Sequence, residues 1–290
     1  MPNPYIDDIV GAWLYADGQL LRVDSLDAAP YLKPADERMY YEVIRVQDGV
    51  PLFWEDHAAR LALSIANAFP LDVLLLRQDA MRLLETAGSA RCNLRIVKTA
   101  LHTVLHLSPY YYPTDGMIAS GVPCGLLDWE RETPHIKTVR EDYKHEVAEA
   151  FAASGPYGRP FEILLADRCG RLTEGSRSNL FFVDDSTVYS APDSLILLGI
   201  TRRYVQRAVS DAGFRLETAM FTMDDIETGR VTAAFLTGSP IDVLPISSIG
   251  SIVMDVENPV LNAIRRRYLA ILDDYIRHAR AAQAGDRRKV

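Results

Sequence analysis

The 290-residue chain is 48% apolar and 24% charged, an ordinary globular composition with enough length for one large or two modest domains. A formal charge of −8 and a pI near 5.3 exclude partners that reward a basic surface, nucleic acid and anionic membrane alike. Cys92, Cys124 and Cys169 form no Cys-x-x-Cys pair, so neither a disulfide framework nor a metal site is indicated, and an acidic start without an apolar leader leads us to expect a soluble, cytoplasmic protein.

Residues 38–54, RMYYEVIRVQDGVPLFW, predict a β-hairpin, because two β-rich runs flank Asp48-Gly49 and that dipeptide favours the type I′ turn. In the first strand Tyr41, Val43 and Arg45 share one face, and Glu42, Ile44 and Val46 the other. A helix is expected from about Glu55 to Phe69, closed by Pro70, and another over Asp79–Ala87, stopped by Gly88. Asn93–Leu107 reads as one or two strands. The stretch 108–126, SPYYYPTDGMIASGVPCGL, mixes Pro, Gly and Tyr without a helical period and is the expected interdomain connection. A strand ending near Lys137 should follow, then a helix with the apolar stripe Tyr143, Val147, Ala150 and Phe151, ended by Gly155-Pro156. Strands are expected at Phe161–Ala166, Leu180–Val183 and Thr187–Tyr189, with Asp184-Asp185-Ser186 as a turn. Residues 201–212 form an amphipathic helix with Val205, Ala208, Val209 and Ala212 inward and Gly213 at C′. Ala233–Leu236 is a short strand and Asn258 to about Ala281 a final helix. The run Arg265-Arg266-Arg267 reads as a solvated helix face and Arg287-Arg288-Lys289 as a frayed tail.

Chemistry is suggested by pieces that are weak singly. Glu174, in Thr173-Glu174-Gly175-Ser176-Arg177-Ser178-Asn179, reads alone as part of a turn that bonds its own backbone. Thr201, in Gly199-Ile200-Thr201-Arg202, is an expected N-cap, and the N–H groups of a helix start also make a phosphate site. Thr237-Gly238-Ser239 offers hydroxyl and N–H donors from a small loop. Arg60 stands on a helix, where an arginine is usually solvated, and Lys137 follows Pro134-His135-Ile136 just before a helix.

Taken together, YEVIRVQDGVPLFWEDHAARL (41–61), HIK (135–137), LTEGSRSNLFFV (172–183), LLGITR (197–202) and FLTGSPIDVLPI (235–246) resemble the class IV aminotransferases, the fold-type IV enzymes of pyridoxal 5'-phosphate (PLP). The resemblance covers about residues 38–250. It implies an α/β (α+β) fold of two domains: a small N-terminal α/β domain (1–112), a linker (113–128) and a larger C-terminal pseudo-barrel domain (129–290) carrying the Schiff-base lysine. The site would lie between the domains, often completed in relatives by a homodimer partner. Lys137 would bind the cofactor and shuttle the substrate proton, and Glu174 would keep the pyridine nitrogen protonated. Arg60, Ile200 N–H, Thr201 and Ser239 would hold the phosphate, and Val188 would pack on a ring face. Asn179 would brace the Glu174 turn, with His57 and His135 structural.

Two departures bear on the substrate. Pro240 has no N–H to offer a substrate carboxylate. Arg45, Arg95 and Arg140 are the replacements to consider, each equally readable as an ion-pair residue, with Tyr41 and Val43 beside them. Tyr143 reads as core rather than as a cofactor contact. The reaction implied is amino transfer between an amino acid, branched-chain or other hydrophobic L-amino acids first, and a 2-oxo acid. Transfer from D-amino acids, an aminodeoxychorismate lyase, and a PLP-binding protein without transaminase activity are the alternatives.

Overall fold

A computed structural model describes residues 3–6, 8–65, 68–89, 91–109, 112–138 and 140–286. The chain divides into two compact units of mixed α/β structure. The first comprises Met1–Tyr111, Ile136–Glu141 and Asp274–Val290, and the second Tyr112–His135 and Asp142–Asp273.

In the first unit six strands form one antiparallel sheet, in the order Gln19–Arg22, Trp13–Ala16, Thr103–Ser108, Arg91–Lys98, Tyr40–Gln47, Val50–Pro51. The hairpin forms as the sequence requires. Asp48 and Gly49 take φ of 53° and 77°, and the register pairs Val46 with Pro51 and Gln47 with Val50. Alternation turns Ile44, Val46, Leu94, Ile96, Leu105 and Leu107 onto one face. That face is covered by the helices Trp54–Ile65 and Val73–Ala87 through Ala58, Leu61, Ile65, Leu76, Ala80 and Leu83. Burying each such Leu or Ile contributes about 1.5–3 kcal/mol. Glu42 lies on this apolar face and is 1% exposed, which makes it the anomaly of the strand.

The second helix starts at Val73, six residues earlier than expected. Asp72 caps it, its side chain accepting from Leu74 N (3.0 Å) and Leu75 N (2.9 Å), and Gly88 closes it at φ 62°. The run Val73-Leu74-Leu75-Leu76 is apolar on every side, so it carries no amphipathic period to mark the start. The first helix ends at Ile65 among the described residues.

In the second unit eight strands follow one path: Leu172–Gly175, Glu162–Ala166, Val122–Asp128, Asp242–Ile249, Ala233–Gly238, Asn179–Asp184, Thr187–Ser190, Arg215–Thr218. Ile252–Val253 pairs beside Asp242–Ile249. The helix Ile200–Asp211 is the crossover between the parallel strands Thr187–Ser190 and Arg215–Thr218, with Val205, Ala208 and Val209 fully buried and Gly213 at φ 81°. The last helix, Pro259–Asp286, is capped by Asn258 Oδ1, which accepts from Val260 N at 3.0 Å.

Several expectations fail for local reasons. The 113–128 linker is a six-residue helix, Asp115–Ser120, capped by Thr114, and a strand, Val122–Asp128, inside the large sheet. Lys137 belongs to the first unit rather than to a C-terminal domain, and it ends no strand. Backbone contact there is a single bridge, Tyr40 with Thr138, plus Tyr41 N donating to Lys137 O, since Pro134 interrupts extended pairing upstream. On the helix Glu141–Ala152 only Val147 of the expected stripe is buried. Gly199, not Thr201, is the N-cap of its helix. Val139 and the run Arg287-Arg288-Lys289 lie outside the described residues.

Replacing Asp72 by Ala removes both capping acceptors. The expected result is a loss of about 1 kcal/mol in chemical denaturation, with the secondary-structure content unchanged.

Candidate active site

In the first unit, main chain brings Lys137 to the strand Tyr40–Gln47, and the side chain lies with Nζ 4.9 Å from the centre of the Tyr41 ring. The Arg95 guanidinium is 5.2 Å from the same ring. Both distances are within cation–π range. Register explains the grouping: Val43 pairs with Arg95 and Arg45 with Asn93, so Tyr41, Val43, Arg45 and Arg95 share one sheet face. Arg45 is buried there, while Arg140 lies in the coil just before the helix Glu141–Ala152.

On the opposite face Glu42 collects donors from the helix Trp54–Ile65. Arg60 gives Nε to Oε1 at 2.7 Å and Nη2 to Oε2 at 2.5 Å, and His57 Nδ1 lies 2.7 Å from Oε2. Burial alone pushes the Glu42 carboxyl up, but the charge and hydrogen bonds of Arg60, with those of His57, outweigh it and bring it down to about 2. Burial also pushes the His57 imidazole below its ordinary value. Glu42 opposes that shift, and the charges of Arg60 and Lys137 add to it.

In the second unit Glu174 sits on the strand Leu172–Gly175, 2% exposed. Its Oε2 accepts from Leu197 N at 3.1 Å and from Asn179 Nδ2 at 3.3 Å, and Arg131 Nε lies 2.6 Å from Oε1. Asn179 Nδ2 also donates to Leu197 O at 2.8 Å, tying the acid to the loop before the helix Ile200–Asp211. Gly199 is required there, because a Cβ would stand 2.0 Å from Asn179 Oδ1. The loop after Glu174 is organised by a second buried acid. Glu162 accepts from Ser176 Oγ at 2.6 Å, Ser178 Oγ at 2.9 Å and Arg177 N at 3.3 Å. Tyr143 Oη donates to Ser176 O at 2.8 Å, and its ring packs against Trp129 and Arg131 instead of a core.

The same unit presents a place for an anion. The helix Ile200–Asp211 begins at Gly199 with no side-chain cap, so its first amides, those of Ile200 and Thr201, have no intrahelical acceptor. Thr237 pairs with Asn179 across the sheet, and its wholly buried Oγ1 has no hydrogen-bond partner among the described residues. Ser239 and Pro240 occupy the three-residue connection that follows, where Ser239 O accepts from Tyr112 Oη.

The sequence profile described as Amino-transferase class IV matches residues 39–249. The chain belongs to that family. It is accordingly a PLP-dependent transaminase acting on amino and 2-oxo acids, which sets aside the non-catalytic reading. A D-alanine aminotransferase of Listeria monocytogenes is 22% identical over 229 residues, 73% of this chain and 78% of that protein. In fold the chain is similar to the branched-chain amino acid aminotransferase of Escherichia coli, with a TM-score of 0.75 and 18% identity over 91% of this chain and 95% of that one. It is also similar to the branched-chain aminotransferase of Thermoproteus uzoniensis, with a TM-score of 0.74 and 20% identity over 91% and 95%.

The residues of this class IV aminotransferase fit the cofactor: an orphaned buried hydroxyl at Thr237 and an uncapped helix start suit a phosphate, and a buried carboxylate at Glu174 suits a pyridinium. One expected residue does not. Val188 is fully buried between Val183 and Leu216 in the sheet and has no accessible surface for a ring to cover. Sequence reasoning missed Glu42, Glu162, Arg131 and Leu197. Glu42 alone left a signal, an acid among the apolar members of its face. No helix among the described residues is long and apolar enough to cross a membrane.

The Glu42 carboxyl is lower in the folded chain than its ordinary value of 4.5. Its contribution to stability is therefore complete above pH 4.5 and is lost as pH falls toward about 2. Unfolding free energies measured down this range should fall for the native chain, and Glu42→Gln should lose that part of the slope.

Proposed function

We propose that this enzyme moves the amino group of a hydrophobic, branched-chain L-amino acid to a 2-oxo acid such as 2-oxoglutarate. The observation that carries the substrate reading is the face on which Arg95, Tyr41 and Val43 stand beside Lys137. A guanidinium there suits an α-carboxylate, and Tyr41 and Val43 offer apolar surface to a side chain. Arg45 and Arg140 are further cations of the same unit toward a carboxylate. Pro240, without an N–H, contributes none.

Bound PLP supplies an electron sink for the pair left at the substrate Cα. Lys137 Nζ would hold the cofactor and, as a free amine, would take the proton from the substrate Cα. Glu174, fixed by Asn179 and Leu197, would keep a proton on the ring nitrogen. The amides of Ile200 and Thr201, the Thr201 hydroxyl and Ser239 would hold the phosphate, with Thr237 Oγ1 as a further donor of that unit, and Arg60 is the cation assigned to the same group. A homodimer is part of the same reading, on the strength of the resemblance. So is a cytoplasmic setting, which suits three unpaired thiols.

A second reading, transfer from D-amino acids, is favoured by the D-alanine aminotransferase likeness over 73% of the chain. A screen of paired L- and D-donors with 2-oxoglutarate separates the two. Turnover of L-leucine, L-isoleucine and L-valine well above their D-enantiomers is expected. Preference for D-alanine would overturn the branched-chain assignment, and release of pyruvate and p-aminobenzoate from aminodeoxychorismate with no amino acceptor would assign a lyase.

A further inference from the structure

Glu42 belongs to a strand face otherwise occupied by Ile44 and Val46, and its side chain is 1% exposed. A lone carboxylate in that position is costly, and it persists because three N–H contacts converge on it. Two come from one guanidinium: Arg60 Nε to Oε1 at 2.7 Å and Nη2 to Oε2 at 2.5 Å. The third contact, His57 Nδ1 at 2.7 Å, holds the carboxylate from another position on the same helix.

Two-point contact fixes more than a distance. Nε and Nη2 lie on one edge of a rigid planar fork, so gripping both sets the plane and the rotation of the guanidinium. The Nη1 side of Arg60 is then carried in a single direction, away from Glu42. Arg60 is itself only 12% exposed, so its head does not sweep as a surface arginine would. A singly held arginine or a lysine in the same helix would keep its charge but lose this orientation.

The geometry points to Glu42 as a positioning residue for the cofactor phosphate: it binds the Nε–Nη2 edge of Arg60 and thereby presents the Nη1 side to the anion. This rests on the assignment of Arg60 to the phosphate. Glu42 touches neither cofactor nor substrate in this role, and its negative charge works against the phosphate. The net effect of orientation over repulsion is therefore what an experiment must read.

The test is the affinity of the full-length apoprotein for PLP and for pyridoxal, which lacks the phosphate, each titrated spectroscopically. Native chain, Glu42→Gln, Arg60→Met and the double variant are compared. Losing an oriented charge-assisted contact should lower the PLP-to-pyridoxal affinity ratio of Glu42→Gln by about 10- to 100-fold while pyridoxal affinity holds. The double variant should be no worse than Arg60→Met alone, because both act through one guanidinium. An unchanged or raised ratio in Glu42→Gln, or an equal loss of both ligands, overturns the role. If Arg60→Met itself keeps the native ratio, the phosphate assignment of Arg60 is what fails. Should Glu42→Gln not fold by circular dichroism, Arg60→Lys keeps the charge without the fork; a reduced ratio supports the role and a native ratio overturns it.

Discussion

A carboxylate taken out of water must be surrounded by donors, and meeting that constraint at Glu174 fixes the parts of the second unit around it. The acid is 2% exposed on its strand, and its position is set by Leu197 N, Asn179 Nδ2 and the Arg131 guanidinium. Asn179 couples the acid to the loop that becomes the N-terminus of the helix Ile200–Asp211. The group suited to a pyridine nitrogen and the amides suited to a phosphate are thereby placed by one side chain. Close packing enforces the arrangement, since Gly199 admits no Cβ beside Asn179.

The same solution recurs in each unit. Glu162 gathers Ser176, Ser178 and the Arg177 amide, which accounts for the two serines of the TEGSRSN stretch as structural donors. Glu42 gathers Arg60 and His57 beneath the sheet face opposite Lys137 and Tyr41. In all three cases donors from neighbouring residues converge on a buried acid and satisfy its oxygens. Family membership supplies the reaction class, and these acids explain how this chain holds its parts in place.

Legibility in the sequence followed the range of the interactions. The hairpin was readable because Asp48-Gly49 specifies its own turn, and the crossover helix because Val205, Ala208 and Val209 keep a helical period up to Gly213. Glu174 and the 199–202 helix start were readable only as an ordered set, since each is locally ordinary. The helix start at Val73 was hidden by an unpatterned apolar run, and the 113–128 segment by a helix too short to show a period. Arg131, Glu162 and Leu197 act through contacts across the sheet, and no local pattern marks them. Val188 is fully buried, and membership of a strand does not say which of its two faces the fold covers completely.

We assign Lys137, beside Tyr41, as the lysine that carries the cofactor. The most direct test of that assignment is borohydride reduction of the PLP-loaded protein, followed by peptide mapping with mass spectrometry. The phosphopyridoxyl adduct is expected on the peptide containing Lys137, with none at Lys98, whose amine is buried against Thr99 O, or at Lys144 on the following helix. An adduct confined to another lysine, or no adduct on a protein that retains PLP, would contradict it.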